Sequence, residues 1–173
     1  MKINISNLSE GVHEYNFHEN PSSIELDDRF STTVVVDVAL EKRSRQLFLK
    51  GHVKTSGKFL CDRCLDSFDK EIEVEYRMAY VYEPMEPGEI DESKTPDGGH
   101  EITVISRSTN EINIAGDVRE YILLAVPLKL LCKEDCAGLC PKCGANLNHG
   151  ACSCPGDDID PRWEKLKQIM NKN

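Results

Sequence analysis

The eight cysteines constrain this chain most, because they occur as four close pairs: Cys61 with Cys64, Cys132 with Cys136, Cys140 with Cys143, and Cys152 with Cys154. A two-residue spacer lets both thiolates of a pair face one ion at about 2.3 Å. The Gly144 that follows Cys140-Pro-Lys-Cys143 permits the positive φ that turns backbone N–H groups toward sulfur. With Cys152 and Cys154 close behind, these four can complete a tetrahedron within one short segment, at small cost in loop-closure entropy. Cys61, Cys64, Cys132 and Cys136 would then take a second ion, clipping two distant parts of the chain together. The spacing also admits a local tetrad of Cys132, Cys136, Cys140 and Cys143.

Two-plus-two knuckle spacing points to two Zn²⁺ ions, although iron–sulfur ligation uses the same atoms. Four-thiolate sites leave zinc no open position, so they would be structural. His149 lies inside the zinc loop and could substitute for a cysteine. Cys61-Asp-Arg-Cys64 is also the spacing of a redox dithiol. That chemistry expects a βαβ setting with the motif opening a helix, whereas here it follows a β pattern. No nucleophile with a base and an orienting acid is evident, nor a GxxxxGK[ST] or GxGxxG phosphate loop, so no catalytic residues and no small-molecule substrate are expected.

Composition sets the context. Cysteine makes up about 5% of the 173 residues, below a disulfide scaffold. The apolar run over residues 121–128 is too short to span a membrane, and the first residues lack an apolar leader segment, so a cytoplasmic protein with no membrane partner is expected. The formal charge of −9 argues against a uniformly basic nucleic-acid binder. It is unevenly spread, however. Residues 83–101 hold seven acids, one lysine, three prolines and three glycines, which reads as a flexible acidic loop of charge −6. Residues 40–64 hold seven bases against Glu41 and Asp62. The candidate nucleic-acid contacts there are Lys42, Arg43, Arg45, Phe48, Lys50, His52, Lys54, Lys58 and Arg63, with Phe48 interleaved among cations on a wet strand face. An ordinary solvated face with Phe48 packed under a neighbour is the plainer alternative.

Before the acidic loop the apolar period is two, at Val34, Val36, Val38 and Leu40, then Leu47, Leu49 and Val53, then Ile72, Val74, Tyr76, Met78 and Tyr80. Weaker strands are expected over residues 3–5 and 23–26, with a hairpin turn at Thr55-Ser56-Gly57. After the loop, Asp117 and Glu120 resemble a capping box ahead of a helix stopped by Pro127. Asp160, Pro161, Trp163, Leu166 and Met170 have the spacing of a closing helix. The expectation is an α+β protein: an antiparallel β-sheet or barrel-like unit (1–82), the acidic loop (83–101), and a helix with a cysteine-rich zinc-knuckle segment and a C-terminal helix (102–173), together one domain.

The ordered set Cys61-Asp-Arg-Cys-Leu65, Glu120-Tyr-Ile-Leu-Leu-Ala-Val-Pro127, Cys136-Ala-Gly-Leu-Cys-Pro-Lys-Cys-Gly144, Asn146-Leu-Asn148, Cys152-Ser-Cys154 and Asp160-Pro-Arg162 resembles the bacterial YceD family, the large ribosomal RNA subunit accumulation proteins. The resemblance covers nearly the whole chain. It implies a non-enzymatic ribosome biogenesis factor needed for accumulation of 23S rRNA, with that RNA or an assembling large-subunit ribosomal protein as partner. A zinc-stabilised interaction module in another complex and a thiol oxidoreductase using Cys61 and Cys64 are the alternatives.

Overall fold

The computed structural model describes residues 1–83 and 101–154. The strands are β1 (Lys2–Asn4), β2 (Gly11–Glu19), β3 (Val34–Arg43), β4 (Gln46–Leu60), β5 (Ser67–Tyr82), β6 (Glu101–Ile105) and β7 (Glu111–Asn113), followed by the helix α1 (Ala115–Ala125). The interior of the acidic loop and the closing helix expected around Trp163 lie outside the described residues.

Period-two sequence becomes a five-stranded sheet of order β2-β3-β4-β5-β6. Val34, Val36, Val38 and Leu40 of β3, Leu47, Leu49 and Val53 of β4, and Ile72, Tyr76, Met78 and Tyr80 of β5 are all buried on one face. A two-stranded sheet of β1 and β7, with α1, covers that face, delivering Ile3, Ile5, Ile112, Ile114, Val118 and Ile122 to the same core. Tyr121 of α1 stacks on Tyr76 of β5 with ring centroids 4.9 Å apart. Gly51 sits under that tyrosine, and a Cβ there would lie 2.1 Å from its ring. The glycine keeps the alternation in phase while making room for the Tyr76 ring.

Several expectations are corrected. The sheet is mixed and open: β2 to β5 form an antiparallel meander, but β6 pairs in parallel with β5, so there is no closed barrel. A parallel neighbour requires a long crossover, and the acidic segment supplies it. Thr55-Ser56-Gly57 is not a turn; β4 runs straight through it, paired with β5 from Gln46↔Val81 to Leu60↔Ser67. Gly57 is there for close approach, since the Arg29 carbonyl accepts a bond from Lys58 N–H at 2.7 Å and would lie 3.0 Å from an added Cβ. Residues 23–26 are not a strand; Pro21–Ile24 is a 3₁₀ turn closed by Glu25 in the left-handed region. Nor does Asp117 cap α1: Ile114 is the N-cap, and Asp117 accepts a bond from the Tyr80 hydroxyl at 3.3 Å instead. α1 is the only α-helix among the described residues, and none there is long and apolar enough to cross a membrane.

Overpacking beneath Tyr76 makes Gly51→Val destabilising by about 3 kcal/mol. Gly116→Ala, whose Cβ meets nothing within 4 Å, should gain up to about 0.5 kcal/mol of helix propensity. Urea unfolding midpoints moving in opposite directions are the expected result; a Gly51→Val midpoint equal to the wild type would refute the packing argument.

Candidate metal centres and the basic face

The tip of the β4–β5 hairpin is a cysteine knuckle. Cys61 N–H donates to the Asp66 carbonyl at 2.9 Å and Leu65 N–H to the Cys61 carbonyl at 2.9 Å, with Leu65 at φ 62°. The same pattern recurs in the later segment: Cys140 N–H donates to Ala145 at 2.8 Å and Gly144 N–H to Cys140 at 2.9 Å, with Gly144 at φ 74°. Both loops curl their N–H groups around sulfur, one using the expected glycine and the other a leucine in a region costly for side chains.

The sulfurs assemble into two groups, Cys61, Cys64, Cys132 and Cys136, and Cys140, Cys143, Cys152 and Cys154, each with its Sγ atoms within 4.8 Å of one another. A tetrahedron of sulfurs around zinc at about 2.3 Å has edges of about 3.8 Å. Cys61 and Cys136 stand 3.7 Å apart, and Cys64 and Cys132 also 3.7 Å. These spacings are far beyond a disulfide bond and fit a four-thiolate cation site. Of the groupings the sequence left open, this is the one the fold brings together; His149 joins neither set and lies exposed, 3.8 Å from the Asp66 carboxylate.

Electrostatics point the same way. Burial pushes the Cys61 thiol up, but N–H groups of Cys132, Cys64 and Arg63 outweigh it and hold it at about 6. The Asp66 N–H favours the Cys64 thiolate, yet burial and the surrounding sulfurs push that group up to about 12. In the second group the Cys143 and Lys142 N–H groups hold Cys140 at about 6, while Cys143 and then burial push Cys154 up to about 12. Some sulfurs are prepared as thiolates and others are forced to keep a proton, a conflict that a divalent cation at the centre resolves.

Residues that sequence reasoning quoted without a role fasten the two groups together. Asn148 donates its side-chain N–H to Cys136 sulfur at 3.3 Å and accepts Ala137 N–H at 2.9 Å. Asn146 donates to Asp66 on the first knuckle at 2.6 Å. Asp62 and Leu130 exchange two bonds, the Asp62 N–H donating at 2.8 Å and the Asp62 carboxylate accepting at 2.6 Å. Gly138, at φ 75°, lies against the Arg63 carbonyl, which would be 3.2 Å from an added Cβ. Asn146 escapes a pattern search because its partner Asp66 lies 80 positions away, and Asn148 because a polar side chain bonding sulfur leaves no spacing signature.

The basic residues do not form one ribbon. Lys50, His52, Lys54 and Lys58 line the outer side of β4, but β5 sets carboxylates beside them: Glu75 lies 3.4 Å from Lys50, and Glu73 bridges His52 at 2.7 Å and Lys54 at 3.0 Å. The Lys54 ammonium, then His52, holds the Glu73 carboxyl below its usual range. Phe48, expected on the wet face, is only 8% exposed and sits beneath the Arg43 guanidinium, itself paired with Glu41 at 2.7 Å. Lys42 and Arg45 lie at the β3–β4 turn, with Lys42 in register with the core-facing residues of β3, and Arg63 is at the other end, donating to the Cys136 carbonyl at 2.8 Å. Alternation along a strand, invisible in a charge count, separates them.

These features define a β-sheet protein with two four-cysteine clusters able to hold metal ions. A family model described as "Large ribosomal RNA subunit accumulation protein YceD" matches residues 49–170, and the chain belongs to that family. It is similar to "Large ribosomal RNA subunit accumulation protein YCED homolog 1, chloroplastic" of Arabidopsis thaliana, 27% identical over 82% of this chain and 50% of the relative. The homologue of the same name in Zea mays is 31% identical over 71% of this chain and 49% of its own length. An uncharacterised protein of Mycobacterium tuberculosis is 28% identical, covering 78% of this chain and 61% of that protein. The chain thus spans about half the length of the plant relatives it matches. No solved structure matches it.

Because Leu65 occupies a glycine-type conformation while 62% exposed, Leu65→Gly should raise stability by up to about 1 kcal/mol, whereas Gly144→Leu should lower it by at least as much. Thermal unfolding of the two variants checks this; equal shifts would mean the knuckles differ in backbone demand.

Proposed function

We propose that the protein is a non-enzymatic, cytoplasmic factor in large ribosomal subunit biogenesis, promoting accumulation of 23S rRNA by binding that RNA. The observation that carries the reading is family membership over residues 49–170. The bound metal is zinc, one ion in each four-cysteine group, and both are structural. Zinc accepts four thiolates in a closed tetrahedron, and the sulfur spacings agree with its size. A thiol oxidoreductase fits less well, since Cys61 and Cys64 are 0% and 3% exposed and each touches a sulfur of the other chain segment. The division into residues 1–82, 83–101 and 102–173 is one of segments within a single domain, a reading supported by the pairing of β1 with β7 across the first and last of them.

RNA contact would draw on Lys42, Arg43 and Arg45 at the β3–β4 turn and on Lys50, His52, Lys54 and Lys58 of β4, with Arg63 beyond them. A second reading, an assembling large-subunit ribosomal protein as partner, is favoured by the carboxylates of Glu73 and Glu75, which neutralise much of the β4 column and offer acceptors to a basic chain.

Metal analysis of the purified protein should find two zincs per chain, falling to one in either Cys61→Ser or Cys140→Ser; iron, or no metal, would overturn the assignment. Chelation should release protection of residues 130–154 in hydrogen exchange before that of β3 and β4. Filter binding to 23S rRNA fragments should weaken steeply with salt, by a log–log slope of roughly 0.7 for each phosphate contacted on single strands. Replacing Lys42, Arg43 and Arg45 together by Gln should shallow that slope. Affinity no better than that of an unrelated acidic protein, without salt dependence, would remove the RNA reading and leave the ribosomal protein as the partner to test.

A further inference from the structure

The column of core-facing residues on β3 is apolar at Val34, Val36, Val38 and Leu40, then ends in Lys42. A lysine in that phase looks into a cleft of about 370 Å³ at the end of the sheet opposite the cysteine clusters, where Ile5 and Tyr82 also lie. Its size falls within the roughly 300–1,000 Å³ of small-ligand sites. Two parts of the chain bring cations to it: the β3–β4 hairpin gives Lys42 and Arg45, the latter with an interaction of its own, and the loop between β6 and β7 gives Arg107. Ser44, Thr109 and Asn110 add uncharged donors.

What separates this cleft from the rest of the surface is the partner type. Lys42 donates to the Leu8 carbonyl at 2.5 Å, and Arg107 donates from Nε to the Glu83 carbonyl at 2.6 Å. Neutral carbonyls hold both side chains in place without cancelling their charge, and neither makes an ion pair among the described residues. No carboxylate residue is among the described residues lining the cleft; Glu10 is engaged by the Ser44 N–H at 2.9 Å, and Glu83 meets Arg107 through its backbone carbonyl. The larger cleft on the outer side of the sheet is the opposite case, with Glu14, Asp37 and Glu75 beside Lys50 and His52. Arg107 was outside the basic stretch of residues 40–64 and joins it only through the fold.

We propose that this cleft binds a phosphate group through Lys42 and Arg107. A guanidinium offers paired N–H donors that match phosphate oxygens, an ammonium adds a point charge, and hydroxyl and amide donors fill the remaining positions. The phosphate could belong to an RNA backbone or to a free nucleotide or phosphate. The inference goes beyond the rRNA reading, since it rests on the cleft alone.

The test is a two-dimensional amide NMR titration of the full-length, metal-loaded protein with inorganic phosphate, with uridine 5′-monophosphate and with a short oligouridylate, each at low and at physiological salt. Saturable shifts confined to residues 42–45 and 106–110 are expected with inorganic phosphate. Arg107→Gln should weaken binding roughly ten-fold, and Arg107→Lys should recover part of it. Lys70→Gln, on β5 near the opposite end of the sheet, should leave it unchanged. Tighter binding of oligouridylate with steep salt dependence assigns the phosphate to an RNA backbone; comparable or weaker binding than the mononucleotide assigns it to a small ligand. Both results support the cleft. Absence of saturable shifts there with every probe, or equal losses in Arg107→Gln and Lys70→Gln, would overturn it. Retained phosphate binding with no affinity for 23S rRNA would sink only the rRNA reading.

Discussion

Four buried sulfurs at the tip of the β4–β5 hairpin are the interaction on which the rest of the architecture hangs. Cys61 and Cys64 end the longest strand pairing of the sheet, and Cys132 and Cys136 meet them from a segment that follows the helix. Burying several thiols in contact is unfavourable unless charge and coordination compensate, which a cation does. Around that junction the second cluster is held by Asn146, Asn148 and Gly138, each meeting the first knuckle or its cysteines. The two clusters are therefore one mechanical unit attached to one end of the sheet, while the other end, at the β3–β4 turn, is built from cations.

How much of this was legible in the sequence depends on the range of the interaction. Cysteine pairing and period-two strands are local and were readable, down to which residues of β3, β4 and β5 face the core. Glycine was ambiguous: Gly57 resembles a turn residue, yet its function is to let the Arg29 carbonyl approach, and a sequence cannot tell a bend from a crossing chain. Strand β2 escaped notice because His, Glu and Asn alternate with only Tyr15 and Phe17, and its partner β3 supplies most of the apolar face. The parallel pairing of β6 depends on the route of a crossover, which no residue pattern encodes.

Charge was the least legible property. Residues 40–64 carry seven cations, but successive side chains of a strand point to opposite sides, and the neighbouring strand adds its own carboxylates. Glu73 and Glu75 turn a cationic column into a salt-bridged one, while Arg107, far along the chain, adds positive charge to the turn. The same net charge thus describes two very different surfaces at the two ends of β4.

The separation of Cys64 from Cys132 by 68 positions also has a temporal side. A chain made from its N-terminus exposes the hairpin tip long before the sulfurs that complete its cluster exist, whereas Cys140, Cys143, Cys152 and Cys154 emerge almost together. The later cluster can therefore close by itself as soon as it is synthesised, and the earlier one must wait with two reactive thiols on an unlocked hairpin. Oxidants or competing metals would find their opening in that interval of synthesis, not in the finished fold.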